Sequence, residues 1–247
     1  MHKLIKKEPT KIDFNELHKL CFISKKEIYN STYQEKGKTK HLLDKFSTRL
    51  GKIDEMPFIG YVGTNYSNHS TQIVFVSRAE IDSTNEDDEL YANLYESFMQ
   101  FKNSASNLES AYRQYADSYK EHILNSSCSS YLNHFFRETD LTIDDVAFVN
   151  VVPFKCLDNP SKKLYKPSIK DFTSRFFNIV QADWIQPFGL YDAQRLSFES
   201  NYVPYQINSG LSITINAVSS KNQCSERMNH LLWCYKKYVR PRLRVVK

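Results

Sequence analysis

Phe14, Leu17, Leu20, Cys21, Ile23 and Ile28 recur at roughly helical spacing near the start of the chain, with Asp13 placed as a cap. Leu42, Leu43, Phe46 and Leu50 repeat that stripe, and Gly51 follows as a stop. The first fifty residues therefore read as helical. Residues 57–70, PFIGYVGTNYSNHS, hold two glycines and a polar run and read as a structured loop. The period then changes. Ile73, Val74, Phe75 and Val76 form a continuous apolar run, the pattern of a strand covered on both faces. Residues 86–125 return to helical spacing through Leu90, Leu94, Phe98 and Phe101, then Leu108, Tyr112, Tyr115 and Tyr119. A second strand is predicted over VAFVNVVPF, residues 146–154, with the polar Asn150 in its middle. WIQPFG, residues 184–189, follows a helix over about 168–181 as a third strand, and LSITINAV, residues 211–218, is a fourth. A final helix over about 223–238 carries Met228, Leu231, Leu232, Tyr235 and Tyr238 on one side.

Short buried strands that alternate with helices predict an α/β fold. The expected architecture is three-layer α/β/α around a central, mostly parallel four-stranded sheet, with extra N-terminal helices. The chain divides into a helical extension over 1–56, the main domain over 57–238 and a basic tail over 239–247. In such sheets ligands bind beyond the carboxyl ends of the strands. The polar residues that follow the strands thereby become the candidates for function.

Composition narrows the class. The chain has 247 residues, with 41% hydrophobic and few Gly and Pro (6 and 8), which suits one packed domain and not a disordered chain. Its five cysteines, Cys21, Cys128, Cys156, Cys224 and Cys234, show no C-x-x-C spacing, which fits a reducing compartment, and a cytoplasmic location is expected. No apolar stretch resembles a signal peptide or a membrane span, so a membrane partner is not expected. The net charge of +5 is modest, but it is unevenly placed. Residues 80–89 hold six acids, whereas residues 236–247 hold six bases and no acid. A tail of that density is either a solvated terminus or an attractor of phosphate backbone. No Walker loop, dinucleotide glycine fingerprint or G-x-S-x-G elbow is present, which argues against NTPase, NAD-dependent and serine-hydrolase chemistry.

Three segments, taken in order, resemble the uracil-DNA glycosylase superfamily. IVFVSRAEID resembles its first motif, an apolar strand followed by a turn bearing the residue that handles water. VAFVNVVPFKC resembles its central strand, apolar-Asn-x-Val-Lys-Cys, in which the Asn reads the base. WIQPFGLYDA resembles its later strand, which ends in Gly before a helix. The resemblance spans about residues 57–222. There are departures from the pattern. The first turn, Ser77-Arg78-Ala79-Glu80-Ile81-Asp82, lacks the usual Gly and Pro, and Arg78 stands where iron–sulfur relatives carry Glu. Val218-Ser219-Ser220-Lys221-Asn222 lacks the His of the final motif. Cys156 sits where one cluster ligand would be, but its three partners are missing, so no iron–sulfur cluster, other metal or cofactor is expected.

The resemblance implies a DNA glycosylase acting on a flipped base as a monomer. Breaking the N-glycosidic bond builds positive charge on the sugar and negative charge on the departing base. Glu80 or Asp82 would face the sugar; the alternative is that they begin the solvated acidic run. Asn150 interrupts an apolar strand, and a buried amide suits a base edge equally as it suits a structural hydrogen bond. Phe154, by period two, would share a side with Asn150 and stack on the base, unless it is core. Asn65 and Tyr66 would wall the pocket, and His69 is a candidate donor to the leaving base, unless it is structural. Ser77, Arg78, Lys155, Ser219, Ser220, Lys221 and Asn222 would meet DNA phosphates, the last four at a helix start. A turn bulkier than Gly-Pro implies a reshaped pocket and a modified base, such as glucosylated hydroxymethylcytosine, which would suit anti-phage defence. The alternatives are uracil itself, a DNA-binding protein without catalysis, and a metal-dependent nucleotide hydrolase that uses the acidic run.

Overall fold

A computed structural model describes residues 11–44, 56–69, 71–79, 88–126, 129–156, 160–187, 204–207, 210–213, 232–233 and 235–236. The central sheet has four strands: β3 (Tyr61–Val62), β4 (Ile73–Ser77), β5 (Ala147–Asn150) and β6 (Trp184–Pro187), in spatial order β3-β5-β4-β6. β4 pairs in parallel with both β5 and β6, and β3 closes one edge antiparallel to β5. The fold is mixed α/β with a mostly parallel sheet, as the alternation of periods predicts.

The apolar run explains the position of β4. Ile73, Val74, Phe75 and Val76 are all fully buried, so side chains of both parities are covered. Such a strand belongs at the centre of a sheet packed on both faces. Helices α3 (Asp88–Lys102), α4 (Leu108–Asn125) and α5 (Ser129–Arg137) follow it. Phe75 meets Phe135 and Phe136 of α5 edge-on at 5.3 and 6.3 Å, and Phe148 of β5 meets Tyr119 of α4 at 6.4 Å. Beyond β5, α6 (Tyr165–Ser168), a π-helical turn (Ile169–Thr173) and α7 (Ser174–Ile179) run continuously. The Thr173 hydroxyl donates to the Val151 carbonyl at 3.1 Å, which ties that segment to the exit of β5.

The N-terminal region is joined to the same core. α1 (Phe14–Leu20) is capped by Asp13, whose carboxylate accepts from the Asn15 and Glu16 amides. Leu17 and Leu20 are buried, Phe14 packs on Tyr112 at 5.6 Å, and the His18 imidazole hydrogen-bonds to the Lys102 carbonyl at 3.0 Å. α2 (Lys25–Tyr29) begins with a capping box between Ser24 and Glu27.

Several expectations need correction. Residues 32–41 are not helical; β1 (Thr32–Glu35) and β2 (Lys38–His41) form an antiparallel hairpin. Glu35 pairs with Lys38, which leaves Lys36 and Gly37 as a two-residue turn, both with positive φ (52° and 74°). That is the turn whose twist matches a hairpin, and a Lys-Gly pair in a lysine-rich stretch hid it. The 57–70 loop contains β3. The second strand stops at Asn150 rather than running to 154. The long helical stretch breaks between α3 and α4 at the polar run 103–107. Gly210–Ile213 (β8) pairs with Pro204–Ile207 (β7) as a separate hairpin, so β3 takes the fourth place in the central sheet. The Phe46–Gly51 stripe, most of the final helix and the basic tail lie outside the described residues, although Leu232 and Tyr235 are buried. No described helix is long and apolar enough to cross a membrane.

Candidate active site at the carboxyl edge of the sheet

Three parallel strands end together, and the polar residues at that edge follow from their registers. Ser77, the last residue of β4, pairs with Asn150, the last residue of β5. The ladder continues a little further: the Val151 amide donates to the Ser77 carbonyl and the Val152 amide to the Arg78 carbonyl, both at 2.8 Å. Asn150 is therefore at the end of its strand, level with the start of the turn that leads to Glu80 and Asp82. Those two acids lie outside the described residues, as do Ser219, Ser220, Lys221 and Asn222.

Asn150 is 1% exposed, and its Nδ2 donates to the Tyr119 hydroxyl at 3.3 Å. Tyr119 is itself fully buried, packed by Tyr115 at 5.7 Å, Phe58 at 5.7 Å and His122 at 6.2 Å. The long hydrogen bond sits near the upper limit for N–H···O, so the carboxamide is held mainly by its packing. Among the described residues, no hydrogen-bond partner meets its carbonyl oxygen. A hydroxyl can donate or accept, so Tyr119 tolerates either orientation of the amide. In the sequence Tyr119 shows only as part of the apolar stripe of α4, and nothing local marks it as the partner of Asn150.

Two cations border this edge. Arg78 and Lys155 are both partly buried. The Lys155 ammonium stands 4.1 Å from the centroid of the Tyr91 ring, close enough for a cation–π contact. Burial raises the pKa of the Tyr165 phenol, and the neighbouring Arg78 guanidinium opposes that rise. Arg78 thus lies beside the start of α6, at the same edge as Lys155.

Three expected pocket residues are placed elsewhere. Phe154 does not share a strand face with Asn150, because β5 ends before it. Its ring is fully buried against Tyr29 at 6.2 Å, with the Lys25 ammonium 5.5 Å from its centroid. It is a core residue, not a stacking platform. Tyr66 is also fully buried, and its hydroxyl donates to the Val180 carbonyl at 3.1 Å. Asn65 is exposed, and its amide donates to the Asp144 carbonyl. Because β3 is antiparallel to β5, Asn65 and Tyr66 emerge at the amino edge of the sheet, about 10 Å or more along the strands from Asn150.

His69 lies at that amino edge as well. Its Nε2 is 2.8 Å from Asp145 Oδ1, and the Thr142 hydroxyl and amide both donate to Asp145 Oδ2 at 2.7 Å. This cluster pins the loop after β3 to the turn before β5. Burial alone would raise the Asp145 carboxyl, but the hydrogen bonds from His69 and Thr142 outweigh it and hold the pKa below its ordinary value. A depressed folded-state pKa contributes stability above the unfolded value and loses it as pH falls through the folded value. Wild type should therefore lose thermal stability below the usual aspartate pKa of about 3.9 more steeply than Asp145→Asn. Melting curves between pH 6 and 3 measure the difference, and parallel curves would refute it.

Among the described residues, no three His, Cys, Asp or Glu side chains gather as a metal site would require. Cys21 and Cys156 are buried and not in a disulfide, and burial pushes the Cys21 thiol up to about 12, which makes it an inert packing residue. No protein-family model matches this chain, and no curated protein matches it either.

Proposed function

We propose that this chain is a DNA glycosylase that hydrolyses the N-glycosidic bond of a flipped, modified base and leaves an abasic site. One observation carries the reading: the register of β4 with β5 puts Asn150 level with Ser77. An amide suited to a base edge thereby stands where the segment bearing Glu80 and Asp82 leaves the sheet. In the proposed reaction water adds to C1′ of the sugar. The carbon–nitrogen bond breaks with its electron pair passing to the base, which then takes up a proton. A carboxylate from Glu80 or Asp82 would orient the water and offset the charge on the sugar. Asn150 would hydrogen-bond the base as negative charge develops on it. Arg78 and Lys155 would flank the site as phosphate contacts. The wider resemblance of IVFVSRAEID, VAFVNVVPFKC and WIQPFGLYDA to the uracil-DNA glycosylase superfamily supports the same assignment. The bulky turn after β4 favours a modified cytosine over uracil, and with it a role in defence against phage.

The test uses duplexes that carry one uracil, plain cytosine or glucosylated hydroxymethylcytosine, followed by alkali. Strand breaks are expected with the last substrate and should survive a chelator. Breaks with uracil alone would redirect the assignment to that base. Breaks abolished by chelator would favour the metal-dependent hydrolase. No breaks with any duplex would remove the enzyme reading. A DNA-binding protein without catalysis is the second reading, favoured because Tyr66 and Phe154 are both committed to the core. It requires tight duplex binding with no breaks.

A further inference from the structure

We infer that the N-terminal hairpin, Thr32–His41, is a backbone-contacting arm that holds duplex DNA beside the carboxyl edge of the sheet. This goes beyond base removal and rests only on DNA as the partner. The hairpin carries Lys36, Lys38 and Lys40 against a single acid, Glu35. That acid is already engaged, by Lys40 at 2.8 Å and by Lys163 at 3.6 Å. Its charge is therefore turned inward. Lys36 at the turn and Lys38 beside it are exposed, with no ion pair among the described residues. The positive φ of Lys36 places it at the tip of the turn.

Position makes the arm more than an edge strand guarded by lysines, which is the ordinary use of such residues. Lys163, which grips Glu35, also lies 3.9 Å from the centroid of the Tyr33 ring. Two residues later Tyr165 begins α6, beside Arg78 at the end of β4. On the other side of the hairpin, α2 is fastened to the exit of β5. Tyr29 contacts Phe154 and hydrogen-bonds through its hydroxyl to Ser168 at 2.5 Å, and the Lys25 ammonium stands over Phe154. The hairpin is thus held by Lys163, and the helix before it is fastened to the segments that leave the carboxyl edge. An arm whose exposed charges, Lys36 and Lys38, are both positive, next to an edge bearing Arg78 and Lys155, matches the regular negative charge of a duplex. Phosphate contacts of this kind orient a protein on DNA without reading its sequence.

Binding of the full chain to a fluorescein-labelled, unmodified duplex, followed by anisotropy across 50–200 mM KCl, tests the assignment. Lys36→Asn with Lys38→Gln removes both exposed charges while keeping a residue that tolerates the left-handed turn. The double variant should bind roughly tenfold more weakly near 100 mM salt, and its log–log salt slope should be shallower by about two. Arg137→Glu, at the exposed last residue of α5, serves as a control for net charge and should change affinity less than about threefold. Equal losses in both variants would reduce the effect to overall charge and overturn the arm. An unchanged affinity and slope in the double variant, with wild type still bound, would overturn the arm but leave DNA as the partner. Absence of binding by wild type would overturn both. Lys36→Gly with Lys38→Gln repeats the test with a turn that no side chain can strain.

Discussion

Asn150→Ala is expected to lower base release by about a hundredfold or more, the usual cost of removing a hydrogen-bond donor aimed at developing negative charge. The substitution also removes the hydrogen bond to the buried Tyr119 hydroxyl, at a cost of about 1 kcal/mol in stability. Two readouts separate these effects. Tyr119→Phe removes the same hydrogen bond from the opposite side and should cost about 1 kcal/mol, yet it leaves the amide in place. If Asn150 acts on the base and Tyr119 merely positions it, Tyr119→Phe keeps most of the activity at saturating DNA. If both variants lose activity in proportion to their melting temperatures, Asn150 is structural and the proposed site is wrong.

Gly63→Ala is expected to be strongly destabilising. A Cβ at this position would overlap the backbone carbonyl of Asp144, which no rotamer can relieve. The neighbouring hydrogen bonds, Gly63 amide to Val146 carbonyl at 3.0 Å and Asn65 amide to Asp144 carbonyl at 2.8 Å, hold the two segments at that close approach. Backbone must move, and β3 would lose its grip on β5. A loss of about 3 kcal/mol or more is expected, against an ordinary overpacking cost of about 1–3 kcal/mol. For a chain of this size that is a fall in Tm of roughly 6–12 °C. Gly37→Ala provides the comparison. Nothing lies within 4 Å of a Cβ there, so the positive φ alone contributes, about 1 kcal/mol. Similar melting temperatures for the two variants would show that β3 is not held as described.

The contrast between these glycines shows what kind of information each level holds. Gly37 announces a turn through its neighbours, although the lysines around it disguised the signal. The need for Gly63 cannot be read from its neighbours, because the atom it avoids belongs to Asp144, far along the chain.

Local pattern was sufficient for β4, for Asp13 as a cap and for the helices on either side of the polar break at 103–107. Burial on both faces of a strand and one face of a helix leaves a periodic trace that needs no knowledge of partners. The same pattern identified Asn150 as an amide that interrupts an apolar run. It did not tell where that strand would stop, which element would take the fourth place in the sheet, or that Tyr119 would meet the amide. It also sent Asn65, Tyr66 and Phe154 to the pocket, where the fold uses Tyr66 and Phe154 as core and turns Asn65 to the far edge. Strand direction and register are set by contacts between residues distant in sequence, and a side chain's neighbours follow only once those are fixed. The chain's own order of residues thus determined its class and its polar candidates, whereas the packed sheet decided which of them share an edge.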